Sequence, residues 1–357
     1  MKKLAITSAL LAMSGLAAAQ SSVTLFGIVD AALQAGSGSI ADRTQLGSGA
    51  NASSRLGFRG QEDLGGGMSA SFWLEAAVNV DNGSGGATNT NNQASGVPAS
   101  LGGAQGLTFA RRSTVSLTSS WGELRLGRDY SAHYYRFVYD PYGNNGVGAS
   151  QAFLGAPTGL INRVSNQISY HLPANMGGFY GLAEYHLGEN ASNSSAGKNE
   201  GTGGGVRFGW TGGPIDVSMT HAATKYAATA AAGDIVSTSI GARYNVGAFA
   251  LMGAYFRDEV DTTRGVTGKG GHLAGVWRLG VGEFKAMYSQ YGTTAPGDPE
   301  TKKVSVGYVH SLSKRTAIYS TYARVRNSGG AAVALNGSTT GPNQSSSGVD
   351  FGIRHTF

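Results

Sequence analysis

Apolar and polar residues alternate with period two in segment after segment of this chain, and no other feature constrains the fold as much. The C-terminal run is the clearest case: Val349, Phe351, Ile353, His355 and Phe357 fall on one face, and Asp350, Gly352, Arg354 and Thr356 on the other. Val23, Leu25, Gly27, Val29 and Ala31 alternate in the same way with Thr24, Phe26, Ile28 and Asp30, as do Phe284, Ala286 and Tyr288 with Glu283, Lys285, Met287 and Ser289. Successive side chains of a strand point to opposite faces, so each segment has one oily and one largely polar face. Helix-period stretches with caps are hard to find.

Sixteen such segments can be counted, each of about nine to twelve residues, the length that crosses a bilayer when tilted. They begin near Val23, Ser53, Met68, Leu107, Gly122, Arg163, Gly177, Gly203, Gly213, Ile235, Gly247, Gly268, Val281, Lys302, Arg315 and Ser347. Seven connections are tight, at Asp63 to Gly67, Ser119 to Gly122, Pro173 to Gly177, Thr211 to Pro214, Asn245 to Gly247, Leu279 to Gly282 and Ser311 to Lys314. Eight are long and polar, at 35–52, 79–106, 131–162, 188–202, 224–234, 258–267, 292–301 and 326–346. Short turns on one rim and long loops on the other predict an all-β, sixteen-stranded antiparallel transmembrane barrel. A barrel of that width cannot fill its interior with side chains and encloses water. A β-sandwich would use shorter strands, and a solenoid would show a fixed repeat, which is absent.

The N-terminus suits export. Lys2 and Lys3 precede an apolar stretch from Leu4 to Leu16, and Ala17-Ala18-Ala19 reads as a small-residue cleavage site. The expected organisation is a signal peptide over 1–19 and one barrel domain over 20–357, with its third loop at about 131–162. The whole chain carries 27 Lys and Arg against 21 Asp and Glu, and removal of the signal takes away two lysines and no acid. The remaining positive charge is scattered rather than gathered into a basic run, which argues against nucleic acid as a partner. With no cysteine, the chain has no disulfide framework, thiol nucleophile or thiolate zinc site.

The sequence also resembles the general trimeric porins of Gram-negative outer membranes, closest to the branch of beta-proteobacterial and neisserial organisms. The residues that carry the resemblance are Ser22 to Asp30, Ser54 to Gly67, Leu124 to Tyr130 and Gly352 to Phe357. It implies a homotrimer of sixteen-stranded barrels in the outer membrane, in contact with lipid and lipopolysaccharide. Each barrel has its own pore, narrowed by an inward-folded third loop. It also makes the terminal Phe357 the assembly signal read by the barrel-insertion machinery.

Candidate pore residues follow from both lines of argument. Alternation puts Arg55, Arg59 and Gln61 on the face opposite Leu56 and Phe58, and an arginine facing mid-bilayer lipid costs about 2 to 4 kcal/mol, so both arginines are expected in the lumen. The resemblance places Arg55 and Arg111 on the basic wall of the constriction. Alternation instead turns Arg112 inward, so both Arg111 and Arg112 are retained, with Arg111 preferred. Arg128 and Arg163 flank the third loop and complete the expected set. That loop is rich in aromatics at Tyr134, Tyr135, Phe137, Tyr139 and Tyr142, and Arg136 and Asp140 are its only formal charges. It lacks the Pro-Glu motif and further acids of many relatives, so an acidic half of the constriction rests on Asp140 alone.

No His-Glu-x-x-His or Gly-x-Ser-x-Gly occurs, the seven histidines are dispersed, and no catalytic residue, metal or cofactor is expected. The acids Asp258, Glu259 and Asp261 read as part of a solvated loop. The expected function is passive diffusion of small hydrophilic solutes and ions, with a preference for anions. An outer-membrane barrel hydrolase or a surface adhesin are the alternatives.

Overall fold

The computed structural model describes residues 22–93, 104–150, 162–193, 197–230 and 232–357. The signal peptide expected at 1–19, and residues 151–161 of the third loop, lie outside them. The chain forms a closed antiparallel barrel of sixteen strands. In chain order these are β1 (Ser22–Ser37), β2 in two arms (Arg43–Ser48 and Arg55–Gly65), β3 (Met68–Ala77), β4 (Arg112–Ser119), β5 (Gly122–Tyr130), β6 (Arg163–His171), β7 (Phe179–His186) and β8 (Gly203–Gly212). Then follow β9 (Ile215–Thr224), β10 (Asp234–Val246), β11 (Phe249–Asp261), β12 (Val266–Leu279), β13 (Gly282–Thr293), β14 (Glu300–Ser311), β15 (Thr316–Ser328) and β16 (Ser346–Thr356). Each strand pairs with its neighbours in sequence, and β16 closes the sheet on β1, with Ile28 opposite Thr356 and Ser37 opposite Ser347.

The alternation seen in the sequence is the division between lipid and lumen. Val23, Leu25, Leu273, Phe351 and Ile353 are exposed on the outer face, whereas their neighbours Asp30, Asp350 and Met287 are buried inside. Near the short turns the outer face is aromatic: Phe249 stacks on Trp277 at 5.6 Å, Trp277 on Phe284 at 5.7 Å, and Phe284 meets Tyr308 at 4.5 Å. Such a belt marks a membrane–water interface, where an amphipathic ring is at home. The described chain ends lie on this same rim. Phe357 exchanges two backbone hydrogen bonds of 3.1 Å with Gly27. Its ring occupies the space that a side chain at Gly27 would fill.

Two segments differ from the sequence expectation. The polar stretch 35–52 is mostly strand, because Arg43–Ser48 pairs with Ala31 to Gly36. Leu46 lies in an exposed apolar row with Leu33 and Phe351, but it is the one large apolar residue of this arm, so no alternation shows in the sequence. The break between the arms of β2 is organised by the buried Asp30, whose carboxylate accepts the backbone N–H groups of Asn51 (3.1 Å) and Ala52 (2.7 Å) and the hydroxyl of Tyr319 from β15. The strand expected from Leu107 begins at Arg112, after a segment in which Arg111 alone reaches β3 through its backbone N–H to Glu75 O.

Candidate functional site

The third loop enters the barrel as a 3-10 helix over Ala132–Tyr139 and lies against the inner wall. The wall makes room for it with glycine: a Cβ at Gly205 would sit 2.6 Å from that of Ala132, and one at Gly241 would sit 2.3 Å from the Tyr139 ring. Such inward glycines read as gaps in the sequence pattern and are the bed of the loop.

Polar anchors fix it there. Arg136 is fully buried, and its Nη1 donates to both carboxylate oxygens of Asp258, at 2.8 and 3.0 Å. Ser237 (2.6 Å) and Tyr291 (2.6 Å) donate to the same carboxylate, and the Arg136 guanidinium lies 4.0 Å from the centre of the Phe256 ring. Tyr139 donates to Asp216 at 3.0 Å or to Ser218 at 2.9 Å, and Glu184 accepts the backbone N–H of Ala132. Asp140 folds back on its own loop, accepting the N–H groups of Tyr142 (2.8 Å) and Ser150 (2.7 Å), and burial pushes its carboxyl up from the ordinary value. Burial pushes His133 down to about 4, so it is neutral at physiological pH.

Basic side chains of the wall also grip the loop through its carbonyls. Arg243 donates to Val138 O at 3.1 Å, Lys285 to Pro141 O at 2.8 Å, and Lys303 to Val147 O at 3.1 Å and to Ala149 O. Farther along, Val147 N–H reaches Asp350 of the last strand at 2.7 Å, and Ser53 donates to Asn145 at 2.7 Å. The loop thereby crosses from the β7–β11 wall to β16 and the break in β2. Sequence reasoning missed these cations and Asp258. Inward parity on their strands is the signal that could have found them, since Arg243 lies between outward Ala242 and Tyr244.

A cluster of arginines occupies the strands that the loop leaves free. Arg111 donates through Nε to Glu75 Oε1 at 2.5 Å, and Arg55 approaches the same oxygen at 3.5 Å. Arg163 donates to the Tyr130 hydroxyl at 2.7 Å and lies over that ring at 4.3 Å, and Tyr130 stacks at 3.6 Å on Tyr134 of the loop. Arg128 donates to Ala110 O (2.6 Å) and Ser165 Oγ (2.9 Å). Among the described residues no carboxylate lies within 4.0 Å of Arg128 or Arg163, and Glu75 is shared by Arg55 and Arg111.

Sequence reasoning grouped Arg55, Arg59, Arg111, Arg128 and Arg163, and four of these stand together in the structure. Arg59 does not join them: it lies four residues nearer the short turns, about 13 Å along a strand, beside Phe26 and Trp73. Arg111 and Arg112 both turn inward. Arg111 can do so because it precedes the regular strand, whereas Arg112 obeys the alternation and meets Asp129 at 3.4 Å and the Trp73 ring at 4.7 Å. Arg136 and Asp140 belong to the loop, as expected, but are buried against the wall and within the loop, so neither presents its charge to open space. Among the described residues no group of three or more His, Asp or Glu is close enough to hold a metal ion.

Known proteins share this architecture. A family model described as Gram-negative porin matches residues 5–330. Outer membrane porin protein 32 of Delftia acidovorans is 36% identical over 379 residues covering 100% of both chains, and an outer membrane porin protein of Bordetella pertussis is 30% identical over 420 residues, again covering 100% of both. Among solved structures, the anion-selective porin from Comamonas acidovorans superposes with a TM-score of 0.82 at 33% identity, covering 94% of this chain and 100% of that one. A matching family model over most of the chain, full-length relatives and a closed sixteen-stranded barrel agree: the chain belongs to the Gram-negative porin family.

Proposed function

We propose that this protein is a passive outer-membrane diffusion channel for small hydrophilic solutes, and that its narrow section prefers anions. The observation that carries the preference is the imbalance of the cluster, in which Glu75 is shared by Arg55 and Arg111 while Arg128 and Arg163 have no carboxylate within 4.0 Å among the described residues. The loop opposite adds no compensating acid, since the Asp140 carboxylate is consumed by backbone N–H groups. Selectivity in such a pore is physical: fixed charge in a low-dielectric constriction raises the local concentration of counter-ions and needs no catalytic residue. The selectivity named for the Comamonas acidovorans structure points the same way. Reconstituted in planar bilayers, the protein is expected to add discrete current steps that grow with KCl concentration. Folded protein that adds none would refute the channel.

The working unit on this reading is a homotrimer in contact with outer-membrane lipid and lipopolysaccharide. Support comes from the apolar outer surface where the chain's ends meet, with Val23, Leu25, Val349, Phe351 and Ile353 all exposed on adjoining strands. Cross-linking in mild detergent is expected to stop at three copies, and a ladder ending at one copy would contradict it.

Phe357 is proposed as the residue that the barrel-insertion machinery reads. Its two hydrogen bonds to Gly27 also close the seam between the first and last strands. Deleting Phe357 should lower the outer-membrane yield by an order of magnitude or so while leaving synthesis unchanged. An unchanged yield in fractionated membranes would count against this role.

A further inference from the structure

We propose that the short-turn half of the lumen holds a second anion site, separate from the Arg55 cluster, which takes small carboxylates bearing a flat apolar body. This rests on the reading of the barrel as an open channel. A cavity of 470 Å³ opens there, lined by Arg59, Arg112, Arg125, Trp73, Gln61 and Ser71. Its cations are unequally satisfied. Arg125 is held by Glu123 at 2.9 Å and Asp129 at 2.7 Å, and Asp129 also engages Arg112 at its Nε. Arg59 is exposed, and among the described residues no carboxylate comes within 4.0 Å of it.

The contacts that Arg59 does make are with rings. Its guanidinium carbon lies 5.2 Å from the centre of Trp73 and 5.4 Å from Phe26, and the two rings meet edge to face at 4.9 Å. Arg112 lies over the same indole at 4.7 Å. Two guanidinium groups are therefore gathered at one indole, whose N–H donates to Glu75 at 3.1 Å, while Asp129 is shared between Arg112 and Arg125. An anion beside Trp73 relieves their mutual repulsion.

The chemistry favours a carboxylate with an apolar body over a bare ion. A guanidinium fork matches the two oxygens of a carboxylate, and charge-assisted bonds of this kind are stronger than neutral ones. The Phe26–Trp73 pair supplies apolar surface at the same place, which an inorganic ion or a short acid cannot use. Glu123, also on the cavity wall, keeps the net charge of the pocket modest, so charge alone does not make it a trap.

The test is the chloride current of the reconstituted protein, read as benzoate or acetate is added. Benzoate should reduce the current at a concentration at least about fivefold below that needed for acetate, the same charge without the ring. Arg59→Gln, a change at an exposed side chain, should raise the half-blocking benzoate concentration by about fivefold or more and narrow the gap to acetate. Equal block by both acids, or an unchanged benzoate response in Arg59→Gln, would overturn the second site while leaving the channel intact. Absence of any current from folded protein would instead overturn the channel.

Discussion

Replacing Asp258 with alanine is expected to free the inner loop and enlarge the single-channel conductance. Asp258 gathers the fully buried Arg136 guanidinium, the Ser237 hydroxyl and the Tyr291 hydroxyl around one carboxylate on the inner wall. Removing one partner of a buried ion pair leaves the other charge uncompensated, which costs about 3 to 5 kcal/mol. The Arg136 side chain escapes that cost by leaving the wall, and the 3-10 helix over Ala132–Tyr139 leaves with it. Conductance should rise and become noisier, and the barrel should unfold at lower temperature. The double substitution Arg136→Met with Asp258→Leu removes both charges and keeps apolar bulk beside Phe256, so most of the lost stability should return. Paired single-channel recordings and thermal melts of the three proteins check this. If Asp258→Ala matches the wild type in both, the pair does not hold the loop.

The barrel was legible in the sequence because lipid enforces the alternation: a polar side chain on the outer face is costly, so Val349, Phe351 and Ile353 could hardly read otherwise. Strand number and the position of every short turn followed from that pattern. The arm Arg43–Ser48 was not legible, because Leu46 is its one large apolar residue, too little for an alternation to show. The site was legible in part. Arg55 was expected inside because a charge in a transmembrane segment has one low-energy direction to face, whereas Arg128 and Arg163 were named for flanking the third loop. Arg136 and Asp140 were found as loop charges, yet their burial depends on Asp258 and on the backbone of Tyr142 and Ser150. Asp258 looked like a member of a solvated acidic loop with Glu259 and Asp261. Inward parity on β11 separates it from Glu259, whose partner Arg257 is half exposed beside it.

Charge at the Arg55 cluster should set the ion preference of the pore. Glu75 compensates one positive charge among four, leaving an excess where Tyr130 and Tyr134 bring the loop and the arginine-bearing wall together. Glu123 and Asp129 make no ion pair with this cluster, because Glu123 is bound to Arg125 and Asp129 to Arg125 and Arg112. Screening at physiological salt has a range of about 8 Å, so the scattered charge of the rims matters less than fixed charge in the narrow section. Removing Arg111 takes away the shortest contact of Glu75 and lets that carboxylate offset Arg55 more completely. Arg55→Ala and Arg111→Ala should therefore each weaken the anion preference, and the double variant should weaken it most. The direct measurement is the zero-current potential across a KCl gradient for the wild type and these variants. The predicted result is a wild-type potential with the sign of chloride preference that moves toward zero with each arginine removed. A wild type that prefers potassium, or a potential that neither substitution shifts, would contradict the assignment of selectivity to this cluster.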